Sequence, residues 1–306
     1  MVKYINTFGT SYTEGGGFEW WKYPVVKNLY SKLGTMSYKN PSAFDFSWPG
    51  QLQKLFIENN QQIKVRNYAR CGWGNERMYR KVYEIIHSKN FKREEHIFLF
   101  EFSDECRAEF WSVEKQKHFL VNYDYYIGPE REGLLYKQNV QPMFDYHQET
   151  FIDEEDYYKR IAPMMTEFIR ETYDETDVHR RIEQNQIMFC SMLEYLKINW
   201  FVSFPNVMCY KPDTGLYYRF KDKLQLETKC NRGYQFIIKE GGWDFSTETN
   251  GAWKDFHGGF AWSKACATHI FNDLCRRGIF KLNPIYVDEE EIKKEIKTIV
   301  NNKSII

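Results

Sequence analysis

The sequence predicts an α/β fold: a three-layer α/β/α arrangement around a mostly parallel, flavodoxin-like five-stranded sheet, with long loop insertions. Three observations lead there. Short apolar runs at residues 2–8, 63–68 and 97–102 are spaced as strands, with segments of helical period between them. The third run is almost continuously hydrophobic, as a central strand covered on both faces requires. Strands separated by helices of ten or more residues form βαβ units, and these build parallel sheets.

Taken in order, residues 2–8 form the first strand, stopped by Gly9. Residues 16–48 are rich in glycine and aromatics, lack a period and read as a long decorated loop. Trp48-Pro49-Gly50 punctuates its end, after which Leu52, Leu55 and Phe56 form a helical face with Gln51 and Lys54 outside. Residues 63–68 are the second strand. Residues 75–88 are an amphipathic helix through Met78, Val82, Ile85 and Ile86, and the third strand follows at 97–102. Residues 112–150 mix Tyr, Gly, Pro and Gln without a period and read as a second insertion.

Two helices are expected at 153–173 and 177–199, then a fourth strand at 200–204 stopped by Pro205. Residues 234–238 are a further strand candidate. A helix spans 261–277, where Arg276-Arg277-Gly278 has the basic, glycine-terminated form of a helix end. Residues 288–301 read as a charged tail helix with an acidic start and basic middle, which suits the helix dipole. The chain is thus expected to be one domain over 1–280, interrupted at about 16–48 and 112–150, with a tail at 281–306.

Composition narrows the function classes. The 306 residues are 42% hydrophobic and 27% charged, with 42 basic side chains balancing 42 acidic ones. With 24 Phe, 22 Tyr and 9 Trp, the chain is far from a disordered composition. Nucleic-acid binding driven by a basic field is not expected, because no positive excess exists to neutralise phosphates. No apolar run approaches the ~20 residues that cross a bilayer. The first residues reach Gly9, Thr10 and Ser11 too soon for a signal-peptide core. Seven cysteines without a Cys-x-x-Cys pair suit a reducing compartment and argue against a zinc site, so a cytoplasmic protein without metal is expected.

In open parallel sheets ligands sit beyond the carboxyl ends of the strands, so the loops after the first three strands carry the candidate chemistry. The first reads Gly9-Thr10-Ser11-Tyr12-Thr13-Glu14-Gly15 and sets a serine hydroxyl at the functional rim; a turn or cap serine fits the same pattern. The second contains Cys71-Gly72-Trp73-Gly74-Asn75, where glycine can present a backbone N–H closely to a ligand or merely close the loop ahead of an asparagine cap. The third, Phe102-Ser103-Asp104-Glu105-Cys106-Arg107, offers polar groups at the rim or a cap for a following helix. Near the C-terminus, Asp255-Phe256-His257-Gly258 sets a carboxylate two residues before an imidazole, which can fix its tautomer and leave Nε2 as a base; a structural pairing fits the same pattern. His118, His147 and His179 lie among polar neighbours and read as surface residues.

Together these four loops resemble the SGNH (GDSL-type) hydrolase superfamily, as a divergent member. Residues 9–15 match its Gly-Asp-Ser-x-Thr-x-Gly-like first block except that Thr10 replaces Asp. Gly72 matches the glycine of the second block, and Asp255 with His257 matches the last. Two departures stand out. The third block normally reads Gly-x-Asn, whereas here Glu101-Phe102-Ser103 puts a serine in the Asn position, and Gly258 follows the histidine where many members have proline.

The resemblance implies a serine esterase without cofactors. Ser11 would attack an ester carbonyl, His257 would move the proton and Asp255 would hold the imidazole. The N–H groups of Ser11 and Gly72, with the Ser103 hydroxyl, would bind the oxyanion. Thr10, Trp73, Asn75 and Arg107 are candidates for substrate contact. Aromatics around the rim suit an O-acylated carbohydrate. The runner-up is a non-catalytic binding or assembly module on the same fold, and a nucleotide- or flavin-binding doubly wound protein shares the architecture alone. No phosphate-loop, dinucleotide or Gly-x-Ser-x-Gly motif occurs.

Overall fold

A computed structural model describes residues 2–10, 13, 44, 47–70, 74–103, 107–113, 117–122, 167, 171, 174–204, 219–223 and 260–286. Its elements are β1 (Tyr4–Phe8), α1 (Trp48–Glu58), β2 (Lys64–Asn67), α2 (Asn75–Ile86), β3 (His96–Glu101), β4 (Arg107–Ser112), β5 (Lys117–Asn122), α3 (Glu175–Tyr195), β6 (Asn199–Phe204) and α4 (Phe260–Arg276). The expected strands and the helices at 75–88, 177–199 and 261–277 are present with small shifts at their ends. The expected helix at 153–173, the strand at 234–238 and the tail helix at 288–301 lie outside the described residues, apart from helical Glu167 and Glu171.

Four strands form one parallel sheet in the order β2-β1-β3-β6. Ile5 stands opposite both Val65 and Ile97, so β1 is interior to the sheet. Side chains of a strand alternate between faces, and here parity divides the core in two. Ile5, Val65, Ile97, Leu99 and Phe201 cluster with Trp48, Leu52 and Phe56 of α1 and with Ile270, Phe271 and Leu274 of α4. Phe8, Phe98, Phe100, Trp200 and Val202 cluster with Met78 and Val82 of α2 and with Phe189 and Leu193 of α3. Within the second cluster Phe8 stacks on Phe98 at 5.9 Å and on Phe100 at 5.2 Å, and Phe100 stacks on Phe102 at 5.4 Å. Such offset aromatic contacts add to the burial of the rings.

Local chemistry explains the helix ends. Pro49 opens α1, where its missing N–H has no intrahelical partner to lose. The Asp174 carboxylate caps α3 by accepting from the Asp177 N–H at 2.7 Å. After α4, Gly278 adopts φ +71°, the left-handed stop that the Arg276-Arg277-Gly278 pattern predicts. Beyond it, Asn272 of α4 exchanges two hydrogen bonds of 2.6 Å with the backbone of Ile285. Leu282 and Ile285 thereby pack against the first cluster.

Three expectations are corrected. The element after β3 is a strand, because residues 107–112 and 117–122 pair antiparallel as a hairpin instead of opening a helix. The segment read as an aperiodic insertion from residue 112 is therefore ordered secondary structure at its start. Alternation was obscured there by polar residues on both faces. Arg80 of α2 grips Glu109 of the hairpin through two hydrogen bonds of 3.0 and 2.6 Å, and the Glu76 carboxylate accepts from the Glu109 N–H. Burial raises the pKa of Glu76. Finally, Gln51, expected on the solvent side of α1, is buried.

Cys190, Cys266 and Cys275 are free and buried, acting as small core residues, and burial pushes the Cys190 thiol up. Among the described residues no helix is long and apolar enough to cross a membrane.

Because Phe100 and Trp200 are fully buried, replacing either by Ala should cost about 3–5 kcal/mol. Tyr195→Ala, at an 85% exposed position, should change stability by no more than about 0.5 kcal/mol. Urea unfolding of the three variants measures both.

Candidate functional site

Parallel pairing brings the carboxyl ends of β1, β2 and β3 to one edge of the sheet. At that edge the last residue of β3, Glu101, is buried, and the register with β6 shifts between Phe100 and Glu101. Its carboxylate lies beneath the segment that leaves β1. Glu101 Oε1 accepts from the Thr10 hydroxyl at 2.6 Å, and Oε2 accepts from the Thr10 N–H at 3.2 Å and the Thr13 N–H at 3.0 Å. The Thr13 hydroxyl donates to Oε2 as well. Gly9 makes this approach possible, since a Cβ there would come within 2.4 Å of Glu101 Oε2 and 2.5 Å of Thr13 Oγ1.

Thr13 ties this carboxylate to two further elements. Trp48 at the start of α1 donates its indole N–H to Thr13 Oγ1 at 3.1 Å. Asn67, at the end of β2, donates its amide to the Thr13 carbonyl at 2.8 Å. The Asn67 Oδ1 accepts from the Ala69 N–H at 3.0 Å and from the Thr7 hydroxyl at 3.2 Å. The Arg70 N–H reaches the Gly9 carbonyl at 3.1 Å. The segments leaving β1 and β2 are thus joined to each other and to β3 by polar contacts.

The third junction joins the segments after β2 and β3. Asn75 is the first residue of α2, whose N-cap is Gly74. Its amide donates to the Ser103 carbonyl at 2.8 Å while its Oδ1 accepts from the Ser103 N–H at 2.8 Å. Asparagine here supplies the donor–acceptor pair that a neighbouring strand would offer. Its role is to bridge two segments, whereas a helix cap was one reading of the sequence.

Of the residues singled out from the sequence, Thr10, Asn75 and Ser103 meet at this rim, all of them buried. Ser11, Gly72, Trp73, Asp255 and His257 lie outside the described residues. Arg107 begins β4, opposite Asn122. Sequence reasoning missed Glu101, Thr13 and Asn67. The available signal was one carboxylate ending an otherwise apolar strand, with threonines four residues apart or closer in the facing loop. Among the described residues no group of three or more His, Cys, Asp or Glu side chains is placed to hold a metal ion.

The Glu101 carboxyl is pushed above its ordinary value of 4.5 by burial, against the opposing effect of its Thr10 and Thr13 hydrogen bonds. Such a group holds its proton more tightly in the folded state. Its contribution to stability is complete below the unfolded value and declines as pH rises towards the native one. Relative to Glu101→Gln, the wild-type protein should therefore lose stability over the pH range above 4.5, the ordinary value of the group. Urea midpoints across that range test this, and a pH-independent difference would refute it. Separately, Asn75→Ala removes two buried hydrogen bonds to the Ser103 backbone and should cost about 1–3 kcal/mol by the same measurement.

No family model matches this chain, and no curated protein or solved structure matches it either.

Proposed function

We propose that the chain is a serine esterase of the SGNH type, acting on a small-molecule or carbohydrate ester. The observation that carries this reading is the convergence of three separated segments at one sheet edge. Thr10 and Thr13 after β1, Asn67 at the end of β2, and Glu101 and Ser103 at the end of β3 are linked through shared hydrogen bonds or through Asn75. These are the segments that hold or adjoin the first three motif blocks of the resemblance. The sheet order β2-β1-β3-β6 supports the flavodoxin-like, three-layer arrangement, with the fifth strand belonging to the proposal.

In this reading Ser11, which immediately follows Thr10 in the chain, attacks the ester carbonyl. His257 takes the Ser11 proton and returns it to the leaving alcohol, and Asp255 orients His257 and stabilises its cationic form. The N–H groups of Ser11 and Gly72 and the Ser103 hydroxyl stabilise the oxyanion. Trp73 and Arg107 contact substrate. The reaction uses no metal or cofactor. Thr10 and Asn75 assist chiefly by fixing the segments on which the reacting groups sit, since their side chains are bonded within the rim.

One observation favours a second reading, a binding or assembly module that has kept the fold. The Thr10 hydroxyl, the Asn75 amide and the Ser103 N–H all have protein partners, so the described part of the rim is closed by its own hydrogen bonds.

A fluorophosphonate probe separates the two. The esterase should be labelled at Ser11 and should hydrolyse p-nitrophenyl acetate. Ser11→Ala should abolish labelling and lower turnover on the order of 10⁴-fold or more. A well-folded protein that neither labels nor turns over is the binding module.

A further inference from the structure

We propose that Glu101 is the positioning residue of the segment that carries the nucleophile. It acts through the acceptor geometry of its carboxyl, and its negative charge is dispensable. The inference deepens the esterase reading and rests on it for the identity of the nucleophile. Glu101 also stands at the first position of the Glu101-Phe102-Ser103 stretch, where the SGNH pattern has glycine.

Three features of the geometry support the assignment. First, the two described residues on either side of positions 11 and 12 each direct both a backbone N–H and a hydroxyl at this one carboxyl. Backbone N–H groups cannot be redirected without moving the chain, so the carboxyl sets where Thr10 and Thr13 lie. Second, the group has no slack. Gly9 leaves only the room that Oε2 and Thr13 fill, and the Phe100–Phe102 stack on either side of residue 101 holds β3 from below. Third, the donors are unequally divided. Among the described residues Oε2 receives three of them, whereas Oε1 meets the Thr10 hydroxyl.

That division decides between charge and shape. A hydroxyl both donates and accepts. A glutamine at position 101 can therefore turn its carbonyl oxygen towards the three donors and its NH₂ towards Thr10 Oγ1. Every contact then survives with the charge removed. Alanine at the same position deprives all four donors at once.

The test compares wild type, Glu101→Gln and Glu101→Ala by the rate of fluorophosphonate labelling at Ser11 and by hydrogen exchange at the Thr10 and Thr13 amides. Glu101→Gln should label within about threefold of wild type and keep both amides protected. Glu101→Ala should label about 10²-fold more slowly, the scale of a 1 Å misplacement, and lose protection at both amides. Wild-type labelling and protection in Glu101→Ala would overturn the proposal. So would a Glu101→Gln protein as slow as Glu101→Ala, because charge would then be the working property. Should Glu101→Ala not fold, Thr10→Val removes one of the four donors and carries the test. Labelling slowed about tenfold supports the proposal and an unchanged rate overturns it. If the wild type itself is not labelled, the esterase reading fails. Amide exchange then judges Glu101 alone: protection lost in Glu101→Ala and kept in Glu101→Gln upholds its hold on Thr10 and Thr13, and any other pattern overturns it.

Discussion

A carboxyl group buried at the end of a central strand is costly to desolvate, and the rim of this protein is organised around meeting that cost. Glu101 is satisfied by two threonines, through hydroxyl and backbone N–H alike. Every other feature nearby accommodates this arrangement. Gly9 must lack a side chain because the carboxylate occupies the space beside it. Thr13 must be a hydroxyl residue to donate to Glu101 while accepting from Trp48. The same bonds that offset the desolvation of one group therefore dictate the conformation of the segment leaving β1.

The rim is polar, yet its rigidity comes from the hydrocarbon beneath it. Glu101 lies between Phe100 and Phe102, whose rings stack on each other and pack against Phe189 of α3. Phe8 at the end of β1 contacts Tyr68, Phe98 and Phe100. Close-packed aromatics leave the strand ends little freedom, so the hydrogen-bonding groups above them start from defined positions. Asparagines then bridge the segments. Asn67, Asn75 and Asn272 each pair with backbone groups from another part of the chain. The side-chain amide suits this role because it offers a donor and an acceptor at the spacing of a peptide group.

In the proposed esterase, this construction separates two tasks, contacting substrate and holding the groups that do. Groups that touch substrate need freedom of approach, whereas groups that hold them need dense, satisfied contacts. Thr10, Thr13, Asn67, Asn75 and Glu101 belong to the second kind, being bonded to each other or to the neighbouring backbone. Ser103 stands where the SGNH pattern has its oxyanion-binding asparagine, and its own backbone N–H is held by Asn75. An asparagine is present at this junction. It comes from the start of α2 and serves to orient.

Much of the fold was legible because burial along one element leaves a local trace. The apolar runs at residues 2–8, 63–68 and 97–102, the three-and-four spacing of Met78 and Val82, and the Arg276-Arg277-Gly278 stop each depend only on residues within a turn or two. Three sets of polar contacts escaped such reading for one reason. The partner of Glu101 lies 91 and 88 residues away, that of Asn75 is 28 away and that of Asn67 is 54 away. The hairpin after β3 escaped because the group that docks it, the Arg80 guanidinium on Glu109, comes from a separate helix. Sequence alone determined the four strands of the parallel sheet and the helices packed on it, since hydrophobic periodicity is a property of neighbours. Only the tertiary structure decided which polar side chains go inside, because a buried donor or acceptor is stable only beside a partner that the chain brings from elsewhere.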